Sequence, residues 1–350
     1  MGKAGAARKL ASAAAFGGGG LSVLGGGLYG VLTVEAKLAR RTIGNADGQA
    51  PDATGWYGRG RPGPALKIAL LGDSSAAGYG VDLVTDTPGA VLANGVAEYA
   101  DRRVYLREVC KVGAESSDLN GQIDRALPIE PDVAVILIGA NDVTHTVLPS
   151  QSVRHLSEGV RRLVDAGVEV VVGTCPDLGT IQPIMPPLKQ VARAWSRRLA
   201  AAQTIGVIKE GGRTVSLSSI LGPEFAAAPA LLFGPDQFHP SAEGYRSLAT
   251  VLLPSVLASL DLAPEDEEWP EPYRGEGVLP IAAAAVRAVA MPGTELDGTE
   301  VAGNRAGVRG LWVELRHRRR RPQAEGEGPD SGDTMMDQQG DQQVEEQATS

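Results

Sequence analysis

The sequence predicts an α/β protein built on a doubly wound parallel sheet of five strands, and two patterns in it carry that prediction. Short apolar runs closed by turn residues recur along the chain, and segments with helical periodicity fall between them. Strands alternating with helices imply parallel strands joined by crossovers and covered by helices on both faces. Five strands so arranged make a flavodoxin-like sheet, whose ligand crevice lies beyond the carboxyl ends of the strands. Residues that do chemistry should therefore fall just after strands.

The first strand is Lys67-Ile-Ala-Leu-Leu71, a buried run that meets a turn at Gly72-Asp73. A helical pattern over 88–101 leads to a second apolar run, Val104–Val112, and another over 116–126 leads to the third, Val133–Ile138. The segment 151–166 has the clearest helical period. Val153, Leu156, Val160, Leu163 and Val164 share one face, and Arg161 and Arg162 turn outward. The fourth strand, Val168–Gly173, follows; a helix over 187–205 separates it from a weaker fifth, Thr214–Ile220. A last helix starts at Ser241, an N-cap residue type with Glu243-Gly244 just behind it.

The flanks read differently. Lys3, Arg8 and Lys9 precede an uncharged stretch, Leu10–Val34, after which come Glu35, Lys37, Arg40 and Arg41. That stretch is long enough to span a bilayer, although eight glycines dilute it. Residues 1–41 are therefore expected to be a hydrophobic anchor or export signal, which makes membrane contact an expectation. The protein is expected to be exported, and either membrane-anchored or associated with the cell envelope, with a secreted form as the alternative. Residues 42–64, rich in Gly, Pro and Asp, read as a linker. Residues 263–315 form a C-terminal extension, in which acidic Glu265–Glu276 precedes an apolar run of about three helical turns, Leu279–Ala290. Residues 316–350 read as a disordered charged tail.

Composition excludes some classes of function. A chain of 350 residues with 43% hydrophobic content can bury a full core. Its net charge of −9 argues against nucleic acid, because counterion release needs a basic face, and the dense basic run Arg316–Arg321 sits in the tail. The two cysteines, Cys110 and Cys175, each follow an apolar run and read as buried thiols. No CxxC or Cys/His cluster offers a metal cage, and neither metal nor cofactor is expected.

Four short elements fall where the crevice should be. Gly72-Asp73-Ser74-Ser75 follows the first strand, Gly113 the second, and Gly139-Ala140-Asn141-Asp142 the third, while Asp236-Gln237-Phe238-His239 precedes the final helix. Their chemistry fits acyl transfer. A serine hydroxyl is a poor nucleophile until a base takes its proton, and the histidine base needs an orienting carboxylate. Asp236 and His239, three apart on one loop, can supply both to Ser74. The tetrahedral intermediate then needs hydrogen-bond donors, and the backbone of Ser74 and Gly113 with the Asn141 amide are the natural set. A Gly-Asp-Ser tripeptide alone arises in roughly one chain in ten of this length. The weight lies in the conjunction, with every element at a strand end.

The residues and their order resemble the SGNH hydrolase family, the GDSL-like lipases/acylhydrolases. The family's four blocks fall on Ser74, Gly113, Asn141 and His239, and its DxxH element on Asp236 and His239. The resemblance spans about 66–260, making 65–262 the hydrolase domain. It implies a three-layer α/β/α fold and ester hydrolysis without metal or cofactor. The run Gly72–Gly80 and the Gly/Ala-rich leader look like exported actinobacterial esterases. Ser75 stands where many relatives carry Leu, which makes it a nominal rival nucleophile, and the second block is a loose match. The family's strand order, second–first–third–fourth–fifth, would hold Cys110 and Cys175 apart, against a disulfide.

The remaining candidates have plainer roles. His145 reads as a pocket-rim or surface residue, with no carboxylate at loop spacing beyond Asp142; His155 lies in the amphipathic helix and His317 in the tail, and neither points to chemistry. Asp73 and Asp142 are expected to hold their own turns, as is Asp177, which could also line the crevice. Gly25, Gly27 and Gly30 match GxGxxG but follow no strand. No GxSxG elbow occurs. The expected activity is a carboxylic-ester hydrolase with a Ser74–His239–Asp236 triad and an acyl-enzyme intermediate, acting on a small-molecule, lipid or glycan ester. The alternatives are an acyltransferase or carbohydrate deacetylase using the same site, or a non-catalytic binding protein.

Overall fold

A computed structural model describes residues 30–38, 41, 48–217, 223–262 and 295–296. Among the described residues, seven strands form one sheet: β1 (Gly55–Tyr57), β2 (Leu66–Gly72), β3 (Val104–Glu108), β4 (Val133–Leu137), β5 (Glu169–Gly173), β6 (Arg213–Val215) and β7 (Glu295–Leu296). Their spatial order is β1-β3-β2-β4-β5-β6-β7. The inner five, β3-β2-β4-β5-β6, are parallel and stand in the doubly wound order expected of them. Two further strands, antiparallel β1 and β7, add to this five-stranded parallel core at its two edges. β1 lies within the segment read as linker, and β7 within the C-terminal extension. Two or three residues are too few to show a period of two, so neither edge strand announces itself in sequence.

Burial explains the layers. Along β2, Ile68 and Leu70 face one core while Ala69 and Leu71 face the other. β4 alternates likewise, Val133, Val135 and Leu137 against Ala134 and Ile136. A strand buried on both faces has no polar positions to alternate, which is why these segments read as continuous apolar runs. The first core is covered by α2 (Pro88–Ala100) and α9 (Ala242–Ser259). The second lies under α3 (Leu119–Ala126), α5 (Pro149–Asp165) and α6 (Leu188–Lys209). Each fully buried Leu, Ile or Val contributes about 1.5–3 kcal/mol. Helix starts follow their caps. Thr87 Oγ1 accepts from the Ala90 N–H ahead of Pro88, and Ser241 Oγ accepts from Gly244 N–H at 3.2 Å.

Some boundaries move. β3 stops pairing at Glu108, four residues short of the expected Val112, because the chain there turns across the end of β2, with Val109 N–H on Leu70 O and Lys111 N–H on Gly72 O. The segment 116–126 opens as a 3₁₀ turn, Ser116–Asp118, before α3. β6 ends at Val215, and residues 218–222 lie outside the described region. Residues 30–38 are helical, and Glu35 caps α6 by accepting from Leu188 N–H at 2.9 Å. Among the described residues no helix is long and apolar enough to cross a membrane. Most of the Leu10–Val34 run lies outside them, as do Leu279–Ala290 and the tail.

Glu108 latches the β1 edge. Its carboxylate accepts from Ala53 N–H at 3.0 Å, and its own N–H donates to Thr54 Oγ1 at 3.1 Å. Burial pushes its pKa from 4.5 up to about 7, with the Ala53 N–H pulling the other way and Asp52 adding to the rise. A carboxyl whose folded pKa lies above its unfolded value contributes most at low pH, and that contribution is lost as pH climbs through the window from 4.5 to about 7. Glu108→Gln keeps the acceptor and removes the charge. It is expected to be more stable than wild type by about 2 kcal/mol at pH 8 and indistinguishable near pH 4. Urea unfolding at both pH values measures this, and a pH-independent difference would refute it.

Candidate active site

The turn that carries Ser74 is built by glycine and aspartate. β2 ends at Gly72 with φ +139°, where a Cβ would lie 1.9 Å from Leu137 O, so no other residue fits. Asp73 then caps the short α1 (Ser74–Ala77), its Oδ1 accepting from Ser75 N–H at 2.9 Å. Ser74 is the first residue of α1 and is 7% exposed. The loop beyond is held by Tyr245, whose buried hydroxyl donates to Tyr79 O at 2.7 Å.

The facing loop follows α8 (Pro229–Leu232). It folds back on itself through Gly234 N–H to His239 O at 2.8 Å and Gln237 N–H to Gly234 O at 3.0 Å, with Gln237 at φ +55°. Asp236 Oδ1 accepts from the N–H groups of Phe238 and His239, both at 3.0 Å, which locks the carboxylate to its own loop. Asp236 Oδ2 then lies 2.6 Å from His239 Nδ1, and His239 Nε2 lies 3.0 Å from Ser74 Oγ. His239 is 4% exposed, with the rings of Tyr79 and Phe238 at 4.6 and 4.7 Å.

Electrostatics separate the two carboxylates. Burial pushes the Asp236 carboxyl up, but the His239 side chain and the two backbone donors outweigh it and hold the group below its ordinary value. Asp73 is pushed up to about 6, chiefly by burial, with the Ser75 N–H and His239 opposing. The carboxylate behind the imidazole is thus the more readily ionised of the two.

The turns after β3 and β4 flank the turn that carries Ser74, because those strands lie on either side of β2. Gly113 takes φ +78° and faces open space. α4 (Ala140–Thr144) carries Asn141, whose Nδ2 donates to Ala114 O at 2.9 Å, leaving the second N–H of that amide. Two more links lace these turns. Asp142 accepts from Ser116 N–H and Oγ–H, each at 3.1 Å, and His145 Nδ1 meets Glu115 Oε1 at 2.8 Å. One expectation is corrected here. Asp142 holds the neighbouring loop, not its own turn, because it is buried facing Ser116. His145 is an exposed residue, as expected, and takes its carboxylate partner from thirty residues upstream. Asp73 holds its own turn as expected. So does buried Asp177, which accepts from Gly179 N–H at 2.8 Å and pairs with Arg193 and Arg197.

The structure therefore joins Ser74, His239 and Asp236 by direct hydrogen bonds and brings Asn141 against the Gly113–Ala114 turn. Both thiols are free, and burial raises the pKa of each well above its ordinary value. An open groove of about 810 Å³ runs beside the His239 loop, between Gly80–Asp86 and Pro229–Ala242. Sequence reasoning missed Tyr245 and two buried glutamines, Gln122 and Gln203, which bond backbone at the strand ends. A lone Tyr or Gln in a helix carries no local signal of such a role. Chemically, the arrangement can draw a proton from a hydroxyl toward a carboxylate-backed imidazole.

Residues 70–247, which include all of these side chains, match the GDSL-like lipase/acylhydrolase family. The GDSL-like esterase Rv1075c of Mycobacterium tuberculosis is 40% identical over 255 residues, spanning 69% of this chain and 80% of that protein. Among solved structures, LAE5, an α/β hydrolase enzyme from the metagenome of Lake Arreo, Spain, aligns at 19% identity with a TM-score of 0.46, covering 57% of this chain and 97% of that one. The lipase/acylhydrolase from Enterococcus faecalis aligns at 19% identity with a TM-score of 0.43, covering 58% and 100%.

Proposed function

We propose, on the premise that the chain belongs to the GDSL-like lipase/acylhydrolase family and is an ester-hydrolysing enzyme, that it works through an acyl-enzyme formed on Ser74. The observation that carries this is the unbroken relay from Ser74 Oγ to His239 Nε2 at 3.0 Å and from His239 Nδ1 to Asp236 Oδ2 at 2.6 Å. As Ser74 Oγ attacks the ester carbonyl carbon, its proton passes to His239 Nε2, and Asp236 stabilises the resulting imidazolium. The carbonyl oxygen becomes an oxyanion, held by the backbone N–H groups of Ser74 and Gly113 and the second N–H of Asn141. His239 returns the proton to the departing alcohol, leaving the acyl group on Ser74. Water then gives a proton to His239 and attacks the acyl carbon, the carboxylic acid leaves, and Ser74 regains its proton.

The same residues serve transfer of the acyl group to an alcohol, or deacetylation of a carbohydrate. Product analysis with water and sugar acceptors separates these. Placement at the cell envelope rests on the uncharged run Leu10–Val34.

A fluorophosphonate probe tests the site directly. The full chain is expected to be labelled once, with fragmentation placing the adduct on Ser74 and not Ser75. Absence of labelling would favour a non-catalytic binding protein, and an adduct on Ser75 would overturn the assignment of the nucleophile.

A further inference from the structure

The crevice of a doubly wound sheet opens where neighbouring strands cease to pair, and each lost rung leaves backbone donors and acceptors without partners. This sheet splits in two places. β2 and β3 stay in register only to Leu70–Glu108; beyond it Lys111 N–H still reaches Gly72 O at 3.1 Å, but the Gly72 N–H has no partner on that strand. β4 and β5 pair to Leu137–Gly173, and beyond that Thr174 N–H turns to Val215 O on β6.

A glutamine amide stands at each split. Gln122, on α3, accepts from Gly72 N–H at 2.7 Å and donates to Gly72 O at 2.9 Å. Gln203, on α6, accepts from Cys175 N–H at 2.7 Å and donates to Ile138 O at 3.0 Å, bridging β4 and β5 one step past their last rung. The two side chains are 1% and 0% exposed. A carboxamide has the donor and acceptor of a peptide group, so each side chain acts as a detached rung of ladder. Their placement relative to the chemistry is close. Gly72 is two residues before Ser74, and Ile138 is three before Asn141. Gly139, between Ile138 and Asn141 at φ +133°, sits so near Gln203 that a Cβ would lie 2.9 Å from Nε2.

We infer that Gln122 and Gln203 are positioning residues for ester hydrolysis, Gln122 fixing the turn that presents Ser74 and Gln203 the turn that presents Asn141. The inference rests on the proposed roles of Ser74 and Asn141. Without these amides, Gly72 N–H at one turn and Ile138 O and Cys175 N–H at the other lose these partners, while Gly72 O keeps Lys111 N–H, and the turns must shift to satisfy them. A shift of about 1 Å in a reacting group costs on the order of 100-fold in rate.

The test uses Gln122→Met and Gln203→Met in the full chain, since Met keeps the volume and removes both hydrogen bonds. Kinetics on a soluble short-chain aryl ester are read well below each variant's thermal midpoint. We expect kcat to fall about 10- to 100-fold with KM changed less than about threefold, and the fluorophosphonate labelling rate of Gln122→Met to fall in step. Folded variants whose kcat stays within twofold of wild type overturn the inference, whatever happens to their midpoints. Gln122→Glu and Gln203→Glu cover the case in which the Met variants do not fold. A protonated carboxyl offers the same donor and acceptor as the amide, so the ratio of variant to wild-type kcat should rise as pH falls. A flat ratio counts as failure. Substantial activity in Ser74→Ala would instead remove the underlying site assignment, independently of any glutamine result.

Discussion

Ser74→Ala is expected to lower kcat for a short-chain aryl ester by about five orders of magnitude while leaving the thermal midpoint essentially unchanged. The size follows from the relay. Ser74 Oγ is the hydroxyl on His239 Nε2, so removing it removes both the bond-forming atom and the proton that the imidazole takes. Stability is spared because alanine has good helix propensity and the α1 cap, Asp73 to Ser75 N–H, does not use the Ser74 side chain. Ser75→Ala is the matched control and should retain most activity. The neighbouring serine is distinguished by position alone, since its backbone N–H is bound to Asp73 and its hydroxyl is not the one 3.0 Å from the imidazole. A Ser74→Ala enzyme within tenfold of wild type would refute the proposed mechanism.

Asp236→Asn is expected to cost about 10⁴-fold in kcat with little change in KM. Its geometry gives the reason. Oδ1 is already committed to the N–H groups of Phe238 and His239, so an asparagine would keep its carbonyl oxygen there and turn its NH₂ toward His239 Nδ1. That donor forces Nδ1 to accept and places the imidazole proton on Nε2, facing Ser74. The base is then in the wrong tautomer. Because only orientation and charge are lost, fluorophosphonate labelling should slow in proportion while the fold persists. A loss of less than about tenfold would show that Asp236 does not orient the base.

The inner sheet was legible because burial leaves a local trace. Ala134, Ile136 and their alternating neighbours are apolar on both faces of β4, and that run cannot be mistaken for a solvated segment. Gly72, Asp73 and the Asp236–His239 spacing were legible for a different reason. They solve a local problem within a few residues, a turn capped by Asp73 in one case and a carboxylate clamped by its own loop in the other. Gly113 was harder to place, since its value is openness, and nothing in the chain around it marks space.

Short-range physics wrote three things into the sequence: the strand–helix alternation, the turn that raises Ser74, and the holding of Asp236 and His239 on one loop. Tertiary structure decided the partnerships made across the sheet. Ser74 meets His239 across 165 residues, and Gln122 and Gln203 reach back 50 and 65 residues to Gly72 and Ile138. Those bonds have no local signature, because an amide in a helix looks the same whether it faces water or an orphaned peptide group. Packing α3 and α6 against the strand ends is what brought those two groups together.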